Sequence, residues 1–197
     1  MARTAALLGR RAHGRKRLPP LLFFTDPGRT PDPAAAAARL PRGSAIVFRA
    51  FGAPDAAAQG EALRCLARQS RLILLVGADD RLAARIGADG VHLPERQAHR
   101  ARRLKALHPR WLVTVAAHSA IAARRAFLSG ADAVVVSTVF PSASPSAGAP
   151  MGPIRLARLA RGAGGPVYAL GGVNDQTARR LKDVGLVGLA AVEALRT

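Results

Sequence analysis

Eight short runs of apolar residues recur along this chain, separated by stretches in which apolar positions follow a helical period. The runs are Leu21–Asp26, Ala45–Ala50, Leu72–Gly77, Gly90–Leu93, Leu112–Ala117, Ala133–Ser137, Pro166–Leu170 and Gly188–Val192. Continuous apolar runs of this length are typical of strands buried on both faces. Their alternation with helices predicts a parallel sheet.

The count of eight strand–helix units decides the architecture, because eight is the number that closes a (β/α)8 TIM barrel. At 197 residues the chain is short for this fold, which usually takes about 250. We therefore expect one TIM-barrel domain over residues 20–197, in a short version with trimmed helices. Barrel enzymes carry their chemistry at the carboxyl ends of the strands, so the residues that end each run are the candidate site.

Residues 1–19 differ from the rest, because they are rich in arginine and contain no acidic residue. They lack the apolar core of a secretory signal. We expect either a basic N-terminal tail or a first helix that caps the bottom of the barrel.

Neither the cysteine content nor the hydropathy of the chain suggests an oxidising compartment or a membrane. The single cysteine, Cys65, cannot form an internal disulfide and is expected to be a small buried residue of a helix. No stretch approaches the roughly 20 apolar residues of a membrane span. We expect a cytoplasmic protein.

The net charge of +18 comes from 30 basic against 12 acidic residues. Such a charge attracts phosphate-bearing partners, but most of the arginines fall on helices that form the solvated outer ring of a barrel. We therefore do not expect nucleic-acid binding, and we look for a small phosphorylated ligand.

Charged residues end the second and third runs. Arg49 closes an otherwise apolar strand, where it either binds an anion in the barrel mouth or extends to solvent. Asp79 and Asp80 follow strand 3, where aspartates either cap the next helix or bind Mg²⁺. Two histidines follow, His92 within strand 4 and His118 after strand 5, and each is a candidate proton carrier, substrate contact or satisfied polar residue.

A long loop rich in serine and proline follows strand 6 and contains Ser142 and Ser144. Loops of this length over a barrel mouth are usually functional. Strand 7 ends in Gly171 and Gly172, which allow the backbone to approach a phosphate closely. These features predict a barrel that binds a phosphorylated small molecule near strands 7 and 8.

Several ordered motifs resemble the thiamine phosphate synthase superfamily, which also includes the TenI-type thiazole tautomerases. They are GADGVHL at 87–93, TVFPS at 138–142 and ALGGV at 169–173, supported by GADAV at 130–134 and HS at 118–119. The resemblance extends over about residues 21–195.

The resemblance implies a transferase of thiamine biosynthesis, which joins an aminopyrimidine methyl diphosphate to a thiazole phosphate and releases diphosphate. It assigns Arg49 to the diphosphate, Ser142 and Ser144 to the strand-6 hydroxyls, and Gly172 to the backbone site of the thiazole phosphate. It also implies Mg²⁺, for which Asp79 or Asp80 are the candidate ligands.

The chain departs from the family pattern at several charged or polar positions. On strand 2, Val47 stands where the family has a glutamine and Phe51 where it has a lysine. Gly77-Ala78 replaces an Asn-Asp pair after strand 3, and Gln97 replaces a metal-binding aspartate. Pro145 replaces a lysine after strand 6, and Glu193 replaces a serine at the end of strand 8. Much of the charge that would balance a diphosphate is therefore missing, and a glutamate beside a phosphate site would repel it.

Three functions follow from these observations. The first is the synthase-like transferase, with Arg49 as its main cation. The second is a TenI-type tautomerase with His118 as the base, which would need no metal. The third is a non-catalytic relative that binds a thiazole or thiamine phosphate. A homodimer is compatible with each of them.

Overall fold

Eight parallel strands form a closed barrel in the computed structural model, which describes residues 1–11, 18–142, 144 and 148–192. The strands pair in chain order and β8 pairs with β1, so the predicted (β/α)8 barrel is confirmed. Their bounds are β1 Leu21–Phe24, β2 Ala45–Phe48, β3 Ile73–Gly77, β4 Gly90–Leu93, β5 Leu112–Ala117, β6 Ala133–Val136, β7 Val167–Ala169 and β8 Gly188–Ala191.

The helices surround the barrel, and several of them are as short as the length of the chain predicts. They are α1 Ala2–Arg11, α2 Pro33–Ala38, α3 Ala56–Ser70, α4 Asp80–Arg85, α5 Ala101–Leu107, α6 Ala120–Leu128, α7 Gly152–Gly162 and α8 Asp175–Ala178, with 3-10 helices at Glu95–Arg100 and Arg179–Leu181. Within the described part of the chain, no helix is long and apolar enough to cross a membrane.

Alternate residues of each strand pack into two separate cores. In β1, Leu22 and Phe24 face the barrel interior, which also contains Tyr168, while Leu21 and Phe23 face the surrounding helices. The hydroxyl of Tyr168 donates to the carbonyl of Pro19, 2.7 Å away. Burial on both faces explains why the strands read as continuous apolar runs.

Helix α1 packs against the outer surfaces of β1 and β8. Its buried face includes Ala5 and Leu8, whereas Leu7 is half exposed. The amino group of Met1 pairs with Asp175, which follows the carboxyl end of β7. The helix therefore begins on the mouth side of the barrel, and its chain enters β1 at the opposite end.

The two GAD motifs act at the amino ends of the strands. Asp89 accepts hydrogen bonds from the backbone N–H of Leu74 (2.8 Å) and the guanidinium of Arg64 (2.7 Å). The carboxylate of Asp132 likewise accepts a hydrogen bond from the backbone N–H of Val113 (2.8 Å). Each aspartate thus holds the amino end of the preceding strand by a hydrogen bond to its backbone. These motifs therefore stabilise the barrel and lie at the end opposite the mouth.

Two local predictions are wrong. Cys65 is exposed, because the face of α3 toward the barrel carries Gly60, Leu63 and Ala67 and Cys65 lies off that face. Strand β8 ends at Ala191, one residue before the end of the predicted run at Val192, and Glu193 lies outside the described residues.

Candidate functional site

A tight turn follows β1 at the barrel mouth and is organised by Asp26. The carbonyl of Asp26 accepts hydrogen bonds from the N–H groups of Arg29 (3.1 Å) and Thr30 (2.6 Å). Its Oδ1 accepts from the N–H of Gly28, 3.2 Å away. The N-cap of α2 is Asp32, six residues later, and the carboxylate of Asp26 is directed to the mouth.

Arg49, directly after β2, is held in the mouth by the end of β1. Its backbone N–H donates to Thr25 Oγ1 (2.9 Å), and its Nε donates to the Thr25 carbonyl (2.7 Å). Its Nη2 donates to Asp26 Oδ2, at 3.0 Å. Among the described residues no acceptor contacts Nη1, which is the part of the guanidinium that remains to bind an anion.

Two aromatic rings flank the Arg49 guanidinium. Its central carbon lies 5.7 Å from the ring centroid of Phe24 and 5.0 Å from that of Phe51, within range of a cation–π interaction. Phe51 is exposed and its backbone φ is +48°, a conformation that non-glycine residues rarely adopt. The lysine of the family pattern is thus replaced by an aromatic ring against Arg49.

Asp26 joins two arginines through a single oxygen atom. Its Oδ2 lies 3.0 Å from Nη2 of Arg49 and 3.2 Å from Nη2 of Arg29. Burial alone would raise the pKa of Asp26, but the hydrogen bond and charge of Arg29, with the charge of Arg49, outweigh it and lower the pKa below its ordinary value. One carboxylate of the mouth therefore contacts two guanidinium groups.

A pocket of about 330 Å³ lies beside this cluster, at the carboxyl ends of β7 and β8. Gly171 and Gly172 line it, each in a left-handed conformation with φ of +92° and +63°. A Cβ at Gly172 would lie 2.4 Å from the Pro141 carbonyl oxygen, so only glycine lets this turn pack against the β6 loop. Other lining residues are Arg29, Pro141, Ser142, Leu170, Val173, Asn174, Ala190, Ala191 and Val192.

The glycine turn offers hydrogen-bond donors to the pocket. The backbone N–H groups of Gly171, Gly172 and Val173 donate to no acceptor in the described part of the chain. By contrast, the first N–H groups of α8 are satisfied, because Gln176 and Thr177 donate to Asn174 Oδ1 at 2.9 and 3.0 Å. Main-chain donors near an arginine suit the oxygens of a phosphate group.

A second, larger cavity of about 810 Å³ lies between the start of α6 and the start of α7, and is lined by His118, Ser137, Met151, Arg155 and Arg158 among others. Nδ1 of His118 lies 2.8 Å from the Ser137 carbonyl oxygen. Because a carbonyl only accepts, Nδ1 carries the proton, and Nε2 of the neutral ring has a lone pair.

His92 is buried inside the barrel under Phe24. Its Nδ1 lies 3.0 Å from Thr114 Oγ1, and its ring meets that of Phe24 edge-on at 4.9 Å. Burial lowers the pKa of His92 to about 3, and the Arg49 charge adds to the effect. His92 is therefore neutral near pH 7 and does not serve as a cationic acid.

Comparison with known proteins decides the family. The family model described as thiamine monophosphate synthase matches residues 21–195. This chain belongs to that family. It is 31% identical over 186 residues to the thiamine-phosphate synthase of Alcanivorax borkumensis, covering 91% of this chain and 86% of the relative.

Two further relatives of the thiamine monophosphate synthase family agree with this result. The thiamine-phosphate synthase of Thiobacillus denitrificans is 36% identical over 139 residues, covering 70% of this chain and 66% of its own. The solved thiamine phosphate pyrophosphorylase from Pyrococcus furiosus superposes with a TM-score of 0.75 at 26% identity, covering 88% of this chain and 85% of that one.

The two aspartates predicted as metal ligands lie outside the mouth cluster. Asp79 is the N-cap of α4, and its Oδ1 accepts from the N–H of Leu82, 2.8 Å away. Oδ1 of Asp80 pairs with Arg100, which also donates to Oε1 of Gln97 (2.7 Å). One aspartate is thus a helix cap and the other is paired with a guanidinium, and this arrangement does not fit Mg²⁺.

The predicted site residues therefore separate into groups. Gly171, Gly172 and Ser142 line the small pocket, Arg49 lies in the mouth, and His118 lies in the larger cavity. The N–H of Ser144 donates to Ser142 Oγ (3.3 Å), so Ser144 adjoins the pocket through Ser142, while Pro145 lies outside the described residues. Sequence reasoning missed Asp26 and Arg29, although their DPGR turn directly follows a strand end.

Proposed function

We propose that this protein is a thiamine phosphate synthase-type transferase, joining an aminopyrimidine methyl diphosphate to a thiazole phosphate. One observation carries the proposal: the mouth presents two positions that suit phosphoryl groups, the main-chain donors of the glycine turn and the guanidinium of Arg49. Both lie at the carboxyl ends of the strands, where barrel enzymes act. The reaction requires two phosphorylated substrates in one mouth, and family membership supports this activity.

In the proposed reaction, the carbon–oxygen bond between the pyrimidine methylene and the diphosphate breaks, and diphosphate departs with the bonding electron pair. The thiazole nitrogen then supplies its lone pair to that methylene carbon, which completes thiamine phosphate. Arg49 is fixed by Thr25 and Asp26 before the reaction. A preorganised cation of this kind stabilises the negative charge that develops on the departing diphosphate.

The glycine turn would hold the phosphate of the second substrate, which takes no part in bond breaking. Main-chain donors of Gly171 and Gly172, with the hydroxyl of Ser142, suit three phosphate oxygens. Anchoring the phosphate fixes the position of the thiazole ring relative to the methylene carbon. Such positioning converts an encounter of two molecules into a reaction within one complex.

The activity is tested by incubating purified protein with both substrates, with and without Mg²⁺, and measuring thiamine phosphate by chromatography. We expect product from the natural sequence and about 100-fold less from Arg49→Gln, the loss typical of a transition-state contact. Arg42→Gln is the matched control, because Arg42 is exposed and precedes β2 at the opposite end of the barrel. Folded protein that forms no thiamine phosphate under any condition would overturn the proposal.

A TenI-type tautomerase is the second candidate, and His118 favours it. The proton on Nδ1 leaves Nε2 as a base that lines a cavity large enough for a thiazole. Proton NMR of a thiazole phosphate isomer in D2O would report isomerisation. Loss of isomerisation in His118→Gln, with no thiamine phosphate from the natural sequence, would establish this function instead.

The predicted cytoplasmic location and homodimer stay predictions, and so does Mg²⁺. Thermal shift with diphosphate, with and without Mg²⁺, separates a metal-assisted site from one that relies on arginine. A shift without metal would leave Arg49 as the main cation. A shift that requires Mg²⁺ would contradict the poor fit of Asp79 and Asp80 to a metal.

A further inference from the structure

We infer that a basic crevice on the outer surface of the barrel binds small molecules that carry a diphosphate group. The crevice has a volume of about 430 Å³ and lies between α4 and the segment formed by the 3-10 helix Glu95–Arg100 and α5. Among the described residues it shares no lining residue with the glycine-turn pocket or with the cavity beside His118. The inference therefore does not depend on the proposed function.

The composition of the crevice is the first argument. Its described lining residues are Asp80, Arg81, His99, Arg100, Arg103 and Leu104. Three arginines and one aspartate leave these residues with a net charge of +2 when His99 is neutral. Cations gathered around a concave surface raise the local concentration of anions.

The second argument is that Arg100 is held in place before a ligand binds. Its Nη2 donates to Asp80 Oδ1, and its Nη1 donates to Gln97 Oε1 at 2.7 Å. The side chain of Arg100 is 32% exposed, so a ligand can reach it. A guanidinium has five N–H donors, and these two bonds leave donors for phosphate oxygens. Because Arg100 is already fixed, less side-chain entropy is lost when it binds an anion.

The third argument concerns the two other arginines. Arg81 of α4 and Arg103 of α5 are both exposed, and within the described part of the chain neither guanidinium donates a hydrogen bond or forms an ion pair. With Arg100 they bring guanidinium groups into one crevice from three different elements. Guanidinium groups form paired hydrogen bonds with phosphate oxygens. A diphosphate has charge on two phosphoryl groups and therefore matches three guanidiniums better than a monoanion does.

The test is a titration with inorganic diphosphate at an ionic strength of about 0.15 M, followed by NMR of the histidine rings. His99 lines the crevice. His108 follows α5 at the opposite end of the barrel, where its ring stacks on that of Trp111 with 3.7 Å between centroids. We expect a saturable shift of the His99 resonances while those of His108 stay unchanged. Absence of a saturable His99 shift would overturn the inference, whatever His118 in the larger cavity reports.

Double variants show whether the arginines of the crevice are responsible. Arg81→Gln/Arg103→Gln should weaken diphosphate binding, measured at His99, at least tenfold. The matched control is Arg42→Gln/Arg110→Gln, which loses the same charge at exposed residues before β2 and β5, at the amino end of the barrel. It should leave the affinity within about twofold. Equal weakening in the two double variants would mean that net charge alone attracts the ligand, and would refute the site.

Asp80→Asn should have the opposite effect. Asparagine keeps an oxygen that accepts a hydrogen bond from Arg100 and removes the carboxylate charge, so diphosphate affinity should rise about threefold. The fold of the variant is checked by circular dichroism. Weaker diphosphate binding in a folded Asp80→Asn variant would contradict an anion site in this crevice.

Two competitors identify the molecule that supplies the diphosphate group. A nucleoside diphosphate that saturates the His99 shift at lower concentration than inorganic diphosphate would support a nucleotide site. Tighter binding of inorganic diphosphate would support a site for the free ion. A single-stranded oligonucleotide that binds more tightly than either, with a steep dependence on salt, would overturn the assignment to a small molecule.

Discussion

Replacement of Gly172 by alanine tests the geometry of the phosphate pocket. Gly172 has φ +63°, and a Cβ there would lie 2.4 Å from the Pro141 carbonyl oxygen and 2.7 Å from Phe140 Cβ. The left-handed conformation costs a non-glycine residue about 1 kcal/mol, and crowding against backbone adds roughly 2 kcal/mol. We expect Gly172→Ala to lose about 3 kcal/mol of unfolding free energy.

Gly43→Ala is the matched control for this prediction. Gly43 has φ +80° and nothing within 4 Å of its Cβ position, so it should lose only about 1 kcal/mol. For a chain of this size the difference of about 2 kcal/mol corresponds to roughly 4–8 °C in Tm. Phosphate affinity should fall in Gly172→Ala alone, because the displaced Pro141 borders the pocket. Equal Tm and equal phosphate affinity in the two variants would refute the reasoning.

Three further predictions concern stability and protonation. Leu8→Ala should lose about 3 kcal/mol of unfolding free energy, because Leu8 lies on the buried face of α1. Leu7→Ala, at a residue of the same helix that is 52% exposed, should lose little. Equal losses by chemical denaturation would contradict the packing of α1. The pKa of His92 is lowered to about 3, so between pH 6.5 and 3 the unfolded chain binds more protons than the folded one. The unfolding free energy should therefore fall by up to about 1.4 kcal/mol per pH unit as pH drops from 6.5 toward 3. A His92 ring that titrates near pH 6.5 by NMR would show this to be wrong. Asp79→Ala should lose about 1 kcal/mol of unfolding free energy, because Asp79 caps α4, and Asp79→Asn should lose almost none, because asparagine is also a good cap. A stable Asp79→Asn variant that lost a Mg²⁺-dependent thermal shift would identify Asp79 as a metal ligand instead.

The barrel could be predicted because its signals are local. Each strand is a short apolar run and each helix has its own period, so eight units are countable without knowing how they pack. The glycine turn was equally visible, because Gly171 and Gly172 directly end a strand. Strand ends were less exact, as β8 shows, since a strand ends where its neighbours stop pairing with it.

The contacts between loops could not be predicted. Arg49 and Asp26 lie 23 residues apart, and only the register of β1 on β2 brings them together. The sequence presented Arg49 as a side chain that needs an anion, and the chain itself supplies one. Asp80 is similar, because its partner Arg100 lies 20 residues away and occupies the carboxylate that a metal would need.

The two cavities give the most direct test of the account. A crystal structure of the protein soaked with a thiazole phosphate would show which cavity receives the phosphate. The account predicts the phosphate at the N–H groups of Gly171 and Gly172, beside Ser142. A phosphate bound instead beside His118 and Arg155, in the larger cavity, would contradict the assignment of the glycine turn and favour the tautomerase.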